Sequence, residues 1–349
     1  MKTSNRITRT VLAGAATQAA VALTLPMEGA TYVTGTYQGI SIDFAHIGNI
    51  NNGSDTFNGT PYGDVGHEYY IGKYEVTQGQ WTDFLNAVAT DKGASADILD
   101  LYHGQMNSVG YGGITRDASG STYSYSVDDN YKNRPVMWVS LMDAKRFCNW
   151  LTSGGTTTET GIYEISDGEN AVRVDAVWQL GGIALPDENE WYKAAYYDPN
   201  KGGVGTGGYY KYSFGHATGD TLNTSYANCA QWYYSSNGTY YLNEVDFYEN
   251  DVNSVSAYGV ADMTGNVYEF TDTPDGVNRV ARGAWFDGSS SRLAAGSSRG
   301  SYEIGHGVQG TSYGFRVASL APIPEPSTYA LIGGVGAVAL ALLRRRRKA

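Results

Sequence analysis

The sequence predicts an α+β fold with few short helices, short twisted strands and much irregular loop. Three observations carry this reading. Only three stretches show a capped, amphipathic helical pattern, and all are short. Glycine (45 residues) and tyrosine (29 residues) both exceed their ordinary shares. Turn dipeptides such as Asn52-Gly53 and Asn58-Gly59 interrupt the chain. Glycine marks turns, and tyrosine suits half-buried strands and surface platforms.

In chain order, residues 31–70 are rich in Gly and Asn, and short strands are expected at Tyr32–Tyr37 and Tyr69–Tyr74. Thr77 and Gln80 have the spacing of a capping box. Trp81, Phe84, Leu85 and Val88 follow at i, i+3, i+4, i+7. Ser140 caps a second helix with Asp143 in its first turn, and Leu141, Ala144, Phe147, Cys148 and Leu151 form its buried stripe. Pro186-Asp187 opens a third, with Glu190 closing a box and Trp191, Ala194 and Ala195 on one face. Residues 153–183 form an excursion with little helix signal. Cys148 and Cys229 are the two cysteines. An exported chain could pair them, yet Cys148 sits on a core face, where a buried free thiol is equally compatible.

The ends carry addresses. Lys2, Arg6 and Arg9 precede an apolar stretch from Val11 to Leu25, closed by Pro26. This pattern reads as a signal peptide over residues 1–30. At the other end, Tyr329–Leu343 is apolar and uncharged, and Arg344–Lys348 are all basic. A basic cluster after an apolar helix stays on the cytoplasmic side, which leaves the body outside. Pro324-Glu325-Pro326, the short helix and the arginine cluster resemble the PEP-CTERM sorting tail. The resemblance implies a membrane sorting protease that removes the tail. The alternative is a plain single-pass anchor. The body between them, residues 31–321, is one large domain's length.

The full chain has 24 Lys+Arg against 35 Asp+Glu, net −11. The terminal segments hold eight of the bases and two of the acids, which leaves 16 bases and 33 acids, near −17, in the body. Such a surface repels phosphate and argues against a nucleic-acid partner. It favours hard cations.

Six segments in order resemble the formylglycine-generating-enzyme family, also called the sulfatase-modifying-factor domain. They are YYIGKYEVTQGQWTDFLNAV (69–88), NRPVMWVSLMDAKRFCNWLT (133–152), ALPDENEWYKAAYYDP (184–199), YGVADMTGNVYEFTDT (258–273), RVARGAWFDG (279–288) and YGFRVA (313–318). The match runs over 69–318 and implies a C-type-lectin-like core. The family's enzyme oxidises a sulfatase cysteine to formylglycine with copper held by two cysteines near the end of the domain. The matching segment here, 283–316, contains no cysteine. Thiolate is the soft ligand for Cu(I), so no copper and no such oxidation are expected. A second branch of the family uses a non-haem iron held by histidines. Here His46, His67, His103, His216 and His306 lack ligand spacing.

The resemblance also implies a structural calcium. Its ligands would be the Asp262 side chain, the Gly265 and Val267 carbonyls and the Glu269 carboxylate, an all-oxygen set around a glycine turn. The alternative is that Glu269 is only a buried hydrogen-bond acceptor. A second such site would use the Asn228 side chain and the Cys229 carbonyl. Gly296–Gly300 matches G-x-S-x-G, which signals a nucleophile only on a strand–turn–helix, and no helical period follows it.

Two functions compete. The first is an exported, surface-sorted, non-catalytic module that binds a glycan or protein through the 283–316 segment. Its candidate contacts are Phe286, Asp287, Tyr302 and His306, with Trp285 and Tyr313 more at home in the core. The second is an extracytoplasmic oxidoreductase or other metal-dependent enzyme with divergent chemistry, since fold does not fix function.

Overall fold

The structure is a computed structural model. It describes residues 30–321 except 57–60, 93–99, 109, 111, 223–241, 246, 248–252, 277, 287–293, 296–297 and 303–311. The signal and tail segments lie outside the described residues. Among the described residues no helix is long and apolar enough to cross a membrane.

The described residues start with a hairpin, β1 (Tyr32–Tyr37) and β2 (Ile40–Ile47), joined by Gln38-Gly39. Both turn residues have positive φ, 51° and 88°. That is the backbone a two-residue hairpin loop needs, and Gly39 adopts it without strain. β3 (Tyr69–Gly72) pairs with β2 and leads into α1 (Gln78–Val88). The Thr77–Gln80 capping box forms as its spacing predicts. A small hairpin follows, β4 (Ile114–Asp117) with β5 (Ser124–Val127), and then α2 (Leu141–Thr152) with a Ser140–Asp143 box.

The excursion at 153–183 is less irregular than its sequence suggests. It contains a 3-10 turn at Ile165–Asn170 and a single-turn helix, α3 (Asp175–Trp178). One turn is too short to display a hydrophobic period. α4 (Glu188–Tyr196) opens with the Asp187–Glu190 box. β6 (Tyr197–Asp198), β7 (Gly208–Tyr209) and α5 (Gly215–Thr218) complete the middle of the chain.

The last strands build the site. β8 (Tyr268–Asp275) and β9 (Asn278–Arg282) form an antiparallel ribbon, extended by β10 (Arg299–Tyr302). β11 (Tyr313–Gly314) lies parallel to β8, and β12 (Ala318–Ser319) pairs with β3. The two main sheets have the orders β1-β2-β3-β12 and β10-β9-β8-β11. The run Tyr313–Ser319 therefore gives one strand to each sheet. Phe315, Arg316 and Val317 between those strands are fully buried where the sheets meet.

The core is aromatic. Trp81 and Phe84 on α1 meet Phe147 on α2, and Phe315 closes the cluster at 5.6 Å from Phe147 and 6.1 Å from Trp81. Each such pair adds about 0.5–1.5 kcal/mol beyond area burial. Cys148 is a fully buried free thiol on the same helix.

Candidate functional site

Arg316 anchors the site. Its guanidinium gives Nε to Glu269 Oε2 (2.5 Å) and Nη2 to Glu269 Oε1 (2.7 Å). Nη1 donates to the carbonyls of Gly72 (3.0 Å) and Lys73 (3.2 Å), and Nη2 also reaches Ala261 O (3.0 Å). A guanidinium has five N–H donors, and these five acceptors use them all. Trp191 Nε1 from α4 adds a third hydrogen bond to Glu269 (2.8 Å). Neither Glu269 nor Arg316 is exposed. One pair thus ties β3, β8, α4 and the 315–317 crossing together.

Glu75 lies beside this pair, with its Oε2 3.9 Å from Arg316 Nη2. Its side chain is fully buried, and among the described residues neither oxygen has a hydrogen-bond partner. Burial pushes its carboxyl well above the usual range, and the charges of Asp262 and Glu269 add to the effect against the pull of Arg316.

The turn that starts at Asp262 and leads into β8 uses left-handed backbone. Asp262 and Asn266 have φ of 56° and 62°, and Gly265 has 119°. In type, its oxygens suit calcium. The Glu269 charge, however, is already offset by Arg316, so Asp262 is the carboxylate on which an ion would depend. Among the described residues no group of three or more His, Cys, Asp or Glu side chains is placed to hold a metal ion. Asn228 and Cys229 lie outside the described residues.

An aromatic pedestal stands above the ion pair. Trp285, where the 283–316 segment begins, packs edge-on to Tyr268 at 5.2 Å. Tyr313, where it ends, stacks on Tyr268 at 5.6 Å and on Phe270 at 5.4 Å. Backbone bonds fix both feet: Tyr268 N donates to Ser312 O (2.8 Å) and Phe286 N to Asn266 O (3.0 Å). Gly314 is required here, since a Cβ would fall 2.8 Å from Val136 O and 2.9 Å from Val267 Cγ2.

The predicted contact residues divide. Phe286 is only 7 % exposed and packs with Met137, Leu242 and Val267. It is core, not surface, because its ring packs among these buried side chains. Tyr302 is at the end of β10, opposite Arg279. Asp287 and His306 lie outside the described residues. Trp285 and Tyr313 are half-buried. Ser298 of the G-x-S-x-G match is buried, with its Oγ 2.9 Å from Tyr196 OH and donating to Ala295 O (3.3 Å). It precedes a strand, and the elbow reading has no support there.

The adjacent His67 and Glu68, expected to point apart, have different partners, Glu190 (2.9 Å) and His46 (3.1 Å). Buried Glu190 also holds Arg173 through both Nη atoms, at 2.9 and 3.2 Å. The sequence signal for Glu190 was its capping position alone. Trp138, close to the pedestal, stacks on His103 at 5.0 Å with 15° between the rings. No spacing rule links those two residues.

The fold and site define a formylglycine-generating-enzyme-like module with a C-type-lectin-like core. Residues 45–321 match the Sulfatase-modifying factor enzyme 1-like domain, and the chain belongs to that family. Residues 322–347 match the PEP-CTERM protein-sorting motif, which marks a chain for export and sorting toward the bacterial cell surface. Among solved structures, Treponema denticola variable protein 1 is similar at 21 % identity and a TM-score of 0.51, covering 82 % of this chain and 98 % of that one. A structure of CarF is similar at 18 % identity and a TM-score of 0.44, covering 80 % and 98 %. Among curated proteins none matches.

Proposed function

We propose that this chain is a surface-displayed, non-catalytic binding module that presents the 283–316 segment on a rigid pedestal. The observation behind this reading is the fate of the thiols. The segment that holds copper in the family's enzyme has no cysteine here. Cys148 is buried in α2, and burial, reinforced by the Asp272 charge, pushes its thiol well above the usual range. A protonated, enclosed thiol is neither a copper ligand nor a nucleophile. The convergence of both segment ends on Tyr268 suits recognition, since binding loops work best on a stiff support.

The test is direct. Purified protein given copper and oxygen is expected to leave a sulfatase-motif peptide's cysteine unchanged, as read by mass spectrometry. Conversion to the aldehyde that survives Cys148→Ala and Cys229→Ser would overturn the reading.

The sorting tail extends the proposal to a membrane stage. The apolar helix enters the membrane, a sorting protease cuts near Pro324–Ser327, and the body passes to the surface or extracellular matrix. Mass analysis of the native protein is expected to show a C-terminus in that range. Recovery of Leu343–Ala349 on the mature chain would leave a plain anchor instead. A structural calcium on the Asp262 loop belongs to the same proposal.

A further inference from the structure

We propose that the folded body carries its own docking face for the membrane protease that removes the sorting tail. The face is the exposed apolar side of the α3 turn, Val172 to Leu180, beside the point where the chain leaves the domain. The inference rests on the sorting reading above and adds a second recognition element to the Pro-Glu-Pro motif.

The chain is held up to the last described residue. Ala318 exchanges two backbone hydrogen bonds with Ala184, at 2.7 and 2.9 Å, and β12 pairs with β3. Ser319 Oγ donates to Gly181 O (3.0 Å) and accepts from Ala321 N (3.1 Å). Gly181 has φ +84°, and a Cβ there would fall 2.7 Å from Ala321 O. The exit residue therefore lies directly on the end of the α3 turn. The domain match ends at residue 321 and the sorting-motif match begins at residue 322. No spacer separates the two.

The reach of the chain sets the geometry of processing. Pro324 is three residues from Ala321, a span of at most about 10 Å. Pro326 is three residues from Tyr329, where the apolar stretch begins, so about 10 Å also bounds its distance from that stretch. Proteases grip an extended substrate over several residues on each side of the bond they cut. One that closes on 324–327 therefore meets the body around Ala321.

The surface it meets is apolar. Val172 is 54 % exposed and Val174 39 %. Ala176 and Gln179 are also exposed, and Leu180 and Leu320 are half-buried. The charged groups on this run are Asp175, exposed, and Arg173, whose guanidinium is held by Glu190 and covers the Trp178 ring. At about 1.5 Å per residue, the helical run from Val174 reaches Gly181 in about 10 Å. The valines thus stand within one protease footprint of the exit. On a body of net charge near −17, a face with so little charge beside a processing site suits an apolar partner surface.

The experiment follows tail removal from the full-length precursor in the producing bacterium, by pulse-labelling and mass analysis. Val172→Asp with Val174→Asp is expected to slow removal at least fivefold, and the Ser pair to slow it less. Neither pair should lower the melting temperature of the processed protein, because both side chains are exposed. Val204→Asp, the same change on the 96 % exposed valine of the β6–β7 loop, should leave the rate unchanged. A ten-residue Gly-Ser spacer between Ala321 and Pro322 should make removal insensitive to the Asp pair. Equal rates in wild type and in both valine pairs would overturn the inference while leaving the sorting reading in place. So would equal slowing by Val204→Asp, an Asp-pair effect that persists with the spacer, or faster removal with the spacer than without it. Binding of the processed wild type to phosphatidylethanolamine–phosphatidylglycerol vesicles, lost in the Asp pair, would assign the valines to lipid and overturn it too. Retention of the tail on the wild type would remove the sorting reading and this inference together.

Discussion

Glu269→Gln is expected to lower the unfolding free energy by about 3–5 kcal/mol, because it strands a buried guanidinium. In wild type both Glu269 oxygens accept from Arg316, and Trp191 adds a further bond. The pair joins the two main sheets, so its loss is felt across the core. For a domain of this size the melting temperature should fall by on the order of 10 °C. Glu75→Gln offers the contrast. Among the described residues neither Glu75 oxygen has a hydrogen-bond partner, and burial pushes its carboxyl well above the usual range. That change should alter stability by less than about 1 kcal/mol, or raise it. Urea denaturation of the three proteins measures both effects. Similar losses for Glu269→Gln and Glu75→Gln would show that the pair is not the element that holds the sheets. The same geometry makes Glu269 a poor probe for calcium, since its removal destabilises the chain with or without the ion. Asp262→Asn leaves the Arg316 pair in place, and any stabilisation by millimolar calcium should vanish in that variant.

A pH dependence centred on Asp272 is expected to be the second large effect. Asp272 lies on β8 and is 8 % exposed. It accepts a hydrogen bond from Arg173 N at 3.0 Å. Burial raises its carboxyl from 3.8 to about 6, against the opposing pull of Lys145, Arg173 and Arg279. A folded-state value above the unfolded one gives a definite sign. Its contribution to stability is fully present below about pH 3.8 and is lost as pH rises through about 6. The span of about two units corresponds to roughly 3 kcal/mol. Asp272→Asn keeps an acceptor for Arg173 N and removes the titration. Stability of the variant relative to wild type should therefore rise by about that amount between pH 4 and pH 8. Parallel pH profiles for the two proteins would mean that Asp272 titrates like an exposed aspartate.

Local chemistry made much of the fold legible. The Thr77–Gln80 and Asp187–Glu190 capping boxes form where their spacing places them, and the Ser140 cap is closed into a box by Asp143. Each is a contact between residues three apart, so a sequence pattern contains the whole interaction. The core stripe of α2 was equally visible, because periodicity reports which face is buried. The single-turn α3 escaped for the same reason, since four residues hold no period.

The site followed a different rule. Sequence alone determined the α+β class, the family segments, the sorting tail and the lack of cysteine in 283–316. Each of these is written in contiguous residues. Only the tertiary structure decided what those residues meet. Glu269 stands in a loop that suggests calcium, yet its partner is Arg316, 47 positions away, with Trp191 78 positions away. Phe286 sits in a segment that suggests contact with a ligand, yet its ring fills a pocket between Met137, Leu242 and Val267. Trp138 reads as one more aromatic residue until its positive φ and its stack on His103 are seen. Pairings of this kind form when sheets close on each other, and the free energy of a charge or a ring depends on those remote neighbours rather than on adjacent residues.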